Sequence, residues 1–182
     1  MSTTFPRSGK KTLGYSLEQV DDFLASARQT YDANDDSAPL TAESIRRTAF
    51  SMQKGGYSPQ HVDAALERLE DAFAARERSR ALGAMGEEAW LREAHANTDV
   101  LVKRLSRPPG HRFARTSLLS VGYKRSDVDR FTGKIAKYLR DGRVMSADEV
   151  RTAVFRAERG GYRESQVDVV LDGVIDVMLA IR

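Results

Sequence analysis

The sequence predicts an all-α fold of repeated short-helix, Gly-Tyr turn and helix modules, arranged as two duplicated halves with a helical or coiled-coil connector. Three observations predict it. The pattern Gly-Tyr, four residues, Val-Asp occurs four times at one spacing. Counted from each motif Val, apolar residues recur at +3, +7 and +11, the stripe of an amphipathic helix. No segment reads as a β-strand longer than a turn. The expected organisation is a first module pair over 1–80, a helical connector with a Pro/Gly linker over 81–112, and a second module pair over 113–182.

The first copy is Gly14-Tyr15 with Val20-Asp21, and its stripe is Phe23, Ala27 and Tyr31. Ser16 and Gln19 are spaced as a capping box, which starts the helix there. An acidic, small-residue loop is expected from Asp32 to Pro39. The second copy is Gly56-Tyr57 with Val62-Asp63, with Ser58 as cap, Pro59 at the first helical position, and Ala65, Leu69 and Phe73 as stripe. From Pro59 to Leu105 the only break is Gly83-Ala84-Met85-Gly86, consistent with one kinked helix or two. Trp90, Ala94, Leu101 and Leu105 form a stripe of their own. Pro108-Pro109-Gly110 cannot continue a helix, so Ser106 to Arg112 is a boundary.

The third copy is Gly122-Tyr123 with Val128-Asp129, followed by Phe131, Ile135 and Leu139. The fourth is Gly161-Tyr162 with Val167-Asp168, followed by Val170, Val174 and Met178. Its lead-in helix opens on a Ser146–Glu149 capping box. The last helix also carries Val169, Ile175, Val177 and Leu179 on its other faces, so a position between neighbours is expected. Copies one and three have a Phe nine residues before the Gly (Phe5, Phe113); copies two and four have one six residues before (Phe50, Phe155). This alternation is what marks a duplicated two-module unit. Each motif Gly is expected to supply a positive φ that turns the chain, and each Tyr to anchor packing. The repeated Asp residues are expected to complement helix dipoles or pair with a lead-in Arg such as Arg46 or Arg151.

Composition narrows the function. The 182 residues are 41% apolar and 30% charged, as in a soluble globular protein, with a net charge of +3. The pI is about 9.3, but both signs are interspersed, unlike the basic face of a dedicated nucleic-acid binder. There is no cysteine, which excludes disulfides and thiolate chemistry. No apolar run is long enough to span a membrane, and MSTTFPRSGKK lacks a signal-peptide core, so a cytoplasmic location is expected. His61, His95 and His111 show no metal spacing, and no phosphate loop or nucleophile motif occurs. No catalytic residue, cofactor or metal is expected. The one local charge concentration is Lys103 to Arg115, a solvated linker or a contact surface.

The long modules, TAESIRRTAFSMQKGGYSPQHVDAALERLEDAF and SADEVRTAVFRAERGGYRESQVDVVLDGVIDVM, resemble the N-terminal domain of the DivIVA family of bacterial cell-division and polarity proteins. Val20-Asp21-Asp22-Phe23-Leu24 matches the end of that domain's motif in full, and the longer lead-ins at Phe5 and Phe113 resemble actinobacterial members. The resemblance implies a non-enzymatic scaffold with partners in the division or polar-growth machinery. It also implies peripheral contact with anionic membrane at septum or pole, and a homodimer as a candidate assembly. Family members meet the bilayer through an apolar and a basic residue at the tip of the loop before the Gly. The matching candidates are Arg7, Lys10 and Lys11 in the first module and Arg112, Arg115, Leu118 and Leu119 in the third. No long heptad tract follows any module, which departs from the family's coiled coil. A helix-turn-helix nucleic-acid binder is the alternative outline, although nucleic acid is not expected as a partner.

Overall fold

The computed structural model describes residues 5–33 and 40–180. The fold is mainly α, with 63% helix, seven helices and two small two-stranded sheets among the described residues. The chain divides into two compact units, Met1–Ser79 and Arg80–Arg182.

The first unit runs β1 (Leu13–Tyr15), α1 (Leu17–Ala33), α2 (Ala42–Arg46), β2 (Met52–Lys54) and α3 (Pro59–Met85), whose last turns belong to the second unit. β1 and β2 pair antiparallel, with Leu13 opposite Lys54, Gly14 opposite Gln53 and Tyr15 opposite Met52. Each strand is three residues long, no longer than a turn and too short for alternation to register in the sequence; β1 contains its Gly-Tyr motif and β2 precedes the other. α2 is capped by Thr41, whose hydroxyl accepts from Ser44 N while the Ser44 hydroxyl accepts from Thr41 N. Val20, Tyr57 and Val62 form one buried cluster, and Ala42, Ile45 and Phe73 form another. Inside the second, the Arg46 Nε donates to Glu70 at 2.8 Å, both side chains almost wholly buried. The loop expected at Asp32 to Pro39 lies outside the described residues from position 34 onward, and α1 runs to Ala33.

The second unit holds α4 (Glu87–Leu105), β3 (Val121–Tyr123), α5 (Arg125–Asp141), α6 (Ala147–Arg151), β4 (Ala157–Arg159) and α7 (Glu164–Ala180). Gly86, at φ 80°, separates α3 from α4, so the stretch from Pro59 to Leu105 is two helices. β3 pairs with β4, Gly122 opposite Glu158. α7 buries eight apolar side chains, Ile175, Val177 and Leu179 among them, in packing against α4 and α6, while Val169, expected among them, is 62% exposed. Ser146 caps α6 by accepting from Glu149 N at 3.1 Å, while the Glu149 carboxylate turns to Lys134. No helix among the described residues is long and apolar enough to cross a membrane.

Candidate functional site

In both units the two Gly-Tyr motifs cross each other. In the first, Tyr15 N donates to the Tyr57 carbonyl and Tyr57 N to the Tyr15 carbonyl, each at 2.9 Å. In the second, Tyr123 N donates to Tyr162 O at 3.0 Å and Tyr162 N to Tyr123 O at 2.9 Å. The crossing explains the motif glycines, and it corrects the expectation of positive φ. None of Gly14, Gly56, Gly122 and Gly161 has a positive φ; the preceding Gly55 and Gly160 do, at 67° and 65°. The motif glycines are instead demanded by closeness. A Cβ on Gly161 would stand 2.5 Å from Tyr123 O, and one on Gly56 only 2.7 Å from the Gly14 carbonyl carbon and oxygen.

The side chains cross as the backbones do. The Tyr57 hydroxyl donates to the Asp21 carboxylate at 3.0 and 3.1 Å, and Tyr162 donates to Asp129 at 3.0 and 3.2 Å. Reciprocally, Tyr15 lies near Asp63 and Tyr123 near Asp168, close enough for each carboxylate to raise the phenol. Each motif Asp therefore lies by the Tyr of the other copy in its unit, and Asp129 also keeps an ion pair at 3.9 Å with Arg112, just before the lead-in Phe113. Arg46 turns inward to Glu70 and Arg151 bonds Asp148. The lead-in Phe residues follow the same rule. Phe5 packs edge-on against Tyr57 at 5.5 Å, Phe50 against Tyr15 at 5.6 Å, Phe113 against Tyr162 at 5.3 Å and Phe155 against Tyr123 at 5.2 Å. Gln19, expected in a capping box, instead reaches across the unit and accepts from Ser51 N at 2.8 Å. Ser16 keeps only a long contact of 3.5 Å with Gln19 N.

Burial is the main reason that the Tyr15, Tyr123 and Tyr162 hydroxyls lie above their ordinary pKa, with the partner carboxylate's charge and hydrogen bond adding to it. This shift moves them away from the range useful for proton transfer near neutrality. Asp168 is also raised, by burial first, against the lowering effect of the Tyr123 bond. The partly buried Asp127 lies at about 2, chiefly through its hydrogen bonds from Arg156. Among the described residues no group of three His, Asp or Glu side chains is placed to hold a metal ion.

The loops before the crossing carry the predicted contact residues. Leu118 and Leu119 are 83% and 91% exposed, and Val121 beside them is 54% exposed, opposite Arg159 in the ladder. Leu118 lies across Gly160. Arg115 is exposed, while Arg7, Lys10 and Lys11 are exposed before β1. Arg112 is corrected as a contact residue. It is buried, its guanidinium donating to the carbonyls of Arg107 and Asp129 and to the Thr132 hydroxyl. The residues missed were Leu13 and Met52, about half exposed on β1 and β2 beside Lys54. Their signal was an apolar residue just before or within a basic tip.

Compared with known proteins, the chain matches no protein-family model, no curated protein and no solved structure.

Proposed function

We propose that this chain is a non-enzymatic scaffold of DivIVA-like type, in which two head-like units are each closed by a pair of modules from one chain. The duplication read from the sequence supports this, since each unit contains one short-lead and one long-lead motif. The observation that carries the reading is the reciprocal clasp. Tyr, Asp, Phe and Gly of the repeat all have their partners in the other copy, so the motif is accounted for as an intrachain head without any catalytic demand. Between α2 and α3 stand a strand and the crossing, rather than the three- or four-residue turn of a helix-turn-helix, which further favours the scaffold over the nucleic-acid reading.

The exposed tips give the scaffold its contact surface. Val121 stands opposite Arg159, with Leu118 and Leu119 exposed just before it, and Leu13 stands opposite Lys54, with Lys10 and Lys11 exposed just before it. A basic residue near an anionic leaflet contributes about 1 kcal/mol, and apolar insertion adds the second signal that stable attachment requires. Septal or polar division proteins are the partners this reading assigns. The test is imaging of a fluorescent fusion in growing cells of the source organism. Enrichment at septa or poles, dispersed by Leu118→Asp with Leu119→Asp, is expected. A uniform signal from the unaltered protein would overturn the reading.

A further inference from the structure

The two units differ on one face: the first has an apolar groove on which no described element is seated. Counted from the motif, α1 matches α5, and the first half of α3 matches α7. In the second unit this face is covered by α4, which packs on both α5 and α7. Leu101 of α4 lies against Gly173, the Arg104 guanidinium sits 5.4 Å over the Phe113 ring, and Leu105 is completely buried. The turn after α4 completes the seal. Gly110 N donates to the Asp129 carboxylate at 2.7 Å, and Arg112 bonds Thr132 at 2.8 Å.

In the first unit no described element takes that place. The matching residues form a groove of about 500 Å³, lined by Phe5, Leu24, Ala25, Tyr31 and Leu69 with Asp21, Arg28 and Asp32 among them. Exposure rises at matched positions throughout. Thr132 and Ala136 are buried where Leu24 is half-buried and Arg28 exposed; Val174 is buried where Leu69 is half-buried; Leu139 is half-buried where Tyr31 is exposed. Lining side chains that are apolar yet accessible have the character of a binding groove rather than of solvated surface.

We propose that this groove binds an amphipathic helix of a partner protein, seated as α4 is seated in the second unit. Helix-in-groove recognition needs an apolar stripe at helical spacing, and charge adds direction. Asp21 and Asp32 bracket the groove, and Asp21 occupies the place of Asp129, which in the second unit receives the polar end of the covering segment. The partner helix therefore carries a Leu/Ala stripe and a carboxylate facing Arg28. The last feature distinguishes it from α4, because Ala136 stands where Arg28 does. The proposal is independent of membrane contact.

The chain has no cysteine, so Ala25→Cys in the full chain accepts a single environment-sensitive fluorophore inside the groove. The probe is a synthetic peptide of residues 87–112. Saturable binding at the label is expected, abolished by Leu101→Asp with Leu105→Asp in the peptide. It should weaken by about tenfold for Tyr31→Glu in the protein and tighten for Arg28→Ala, which restores the side chain of the second unit. Absence of binding by both the parent and the Arg28→Ala protein would overturn the proposal. So would a label signal that changes with protein concentration alone, since a second copy would then fill the groove. Loss of septal enrichment in cells with peptide binding intact would sink only the scaffold reading.

Discussion

Substituting alanine at Gly161 and, separately, at the adjacent Gly160 separates two explanations of the repeated glycines. At 161 the new Cβ would stand 2.5 Å from Tyr123 O, 2.8 Å from Glu158 O and 2.9 Å from the Gly122 carbonyl carbon. All three are backbone atoms, which cannot swing aside as a side chain can. Ordinary carbon–oxygen contacts begin at about 3.3 Å, so the Tyr123 carbonyl must withdraw by about 0.8 Å. That stretches its 2.9 Å bond from Tyr162 N beyond hydrogen-bonding range. The reciprocal bond from Tyr123 N goes with it. Each bond is worth about 1 kcal/mol net, and more when the groups stay buried and unsatisfied. The expected cost is about 3 kcal/mol or more, a fall in Tm of about 12 °C or more for a unit of this size. At 160 the backbone is left-handed, and the nearest atom is the far end of the Leu118 side chain at 3.2 Å. Only the conformational cost applies there, about 1–2 kcal/mol. Thermal and urea denaturation followed by circular dichroism compares the two variants. If Gly161→Ala proves as mild as Gly160→Ala, close approach is not what the motif glycine provides.

Three further outcomes follow from the same geometry. A double-mutant cycle of Tyr162→Phe and Asp129→Asn, measured by urea denaturation, should return a coupling of about 1–2 kcal/mol; additivity would mean that the clasp contributes nothing. Glu70→Ala should cost about 3–5 kcal/mol by removing the buried carboxylate that accepts from Arg46, whereas Arg46→Met with Glu70→Leu should recover most of it. The second unit already carries Ile175 at the matching place, and chemical denaturation of the two variants decides the point. Stability should hold up to about pH 10 and decline above it, because the folded chain retains the Tyr15, Tyr123 and Tyr162 protons to higher pH than the unfolded chain does. Tyr123→Phe should lessen that alkaline loss in a pH series of melting curves.

The sequence by itself determined the elements and their order. Helix spacing of apolar residues, Ser58-Pro59 and Ser146 at helix starts, and the boundary at Pro108 placed helices that local chemistry is sufficient to specify, while whether Gly83 to Gly86 kinks one helix or divides two was left to the structure. The alternating Phe positions marked the two-module period, and the +3, +7, +11 stripes marked the faces that become core at Ile135 and Val174. Only the tertiary structure decided which copy each side chain serves. Asp21 and Asp63 hold the same place in the repeat, each after a Val and six residues beyond the motif Tyr, and nothing local distinguishes them as partners for Tyr57. A repeat erases the information that would name the partner, and three-dimensional closure supplies it. The same holds for Arg112, which reads as an exposed basic linker residue until the chain folds back and the α5 carbonyl of Asp129 and hydroxyl of Thr132 enclose it. It holds equally for the motif glycines, where the constraint comes from a backbone more than thirty residues away in the chain rather than from the glycine's own φ.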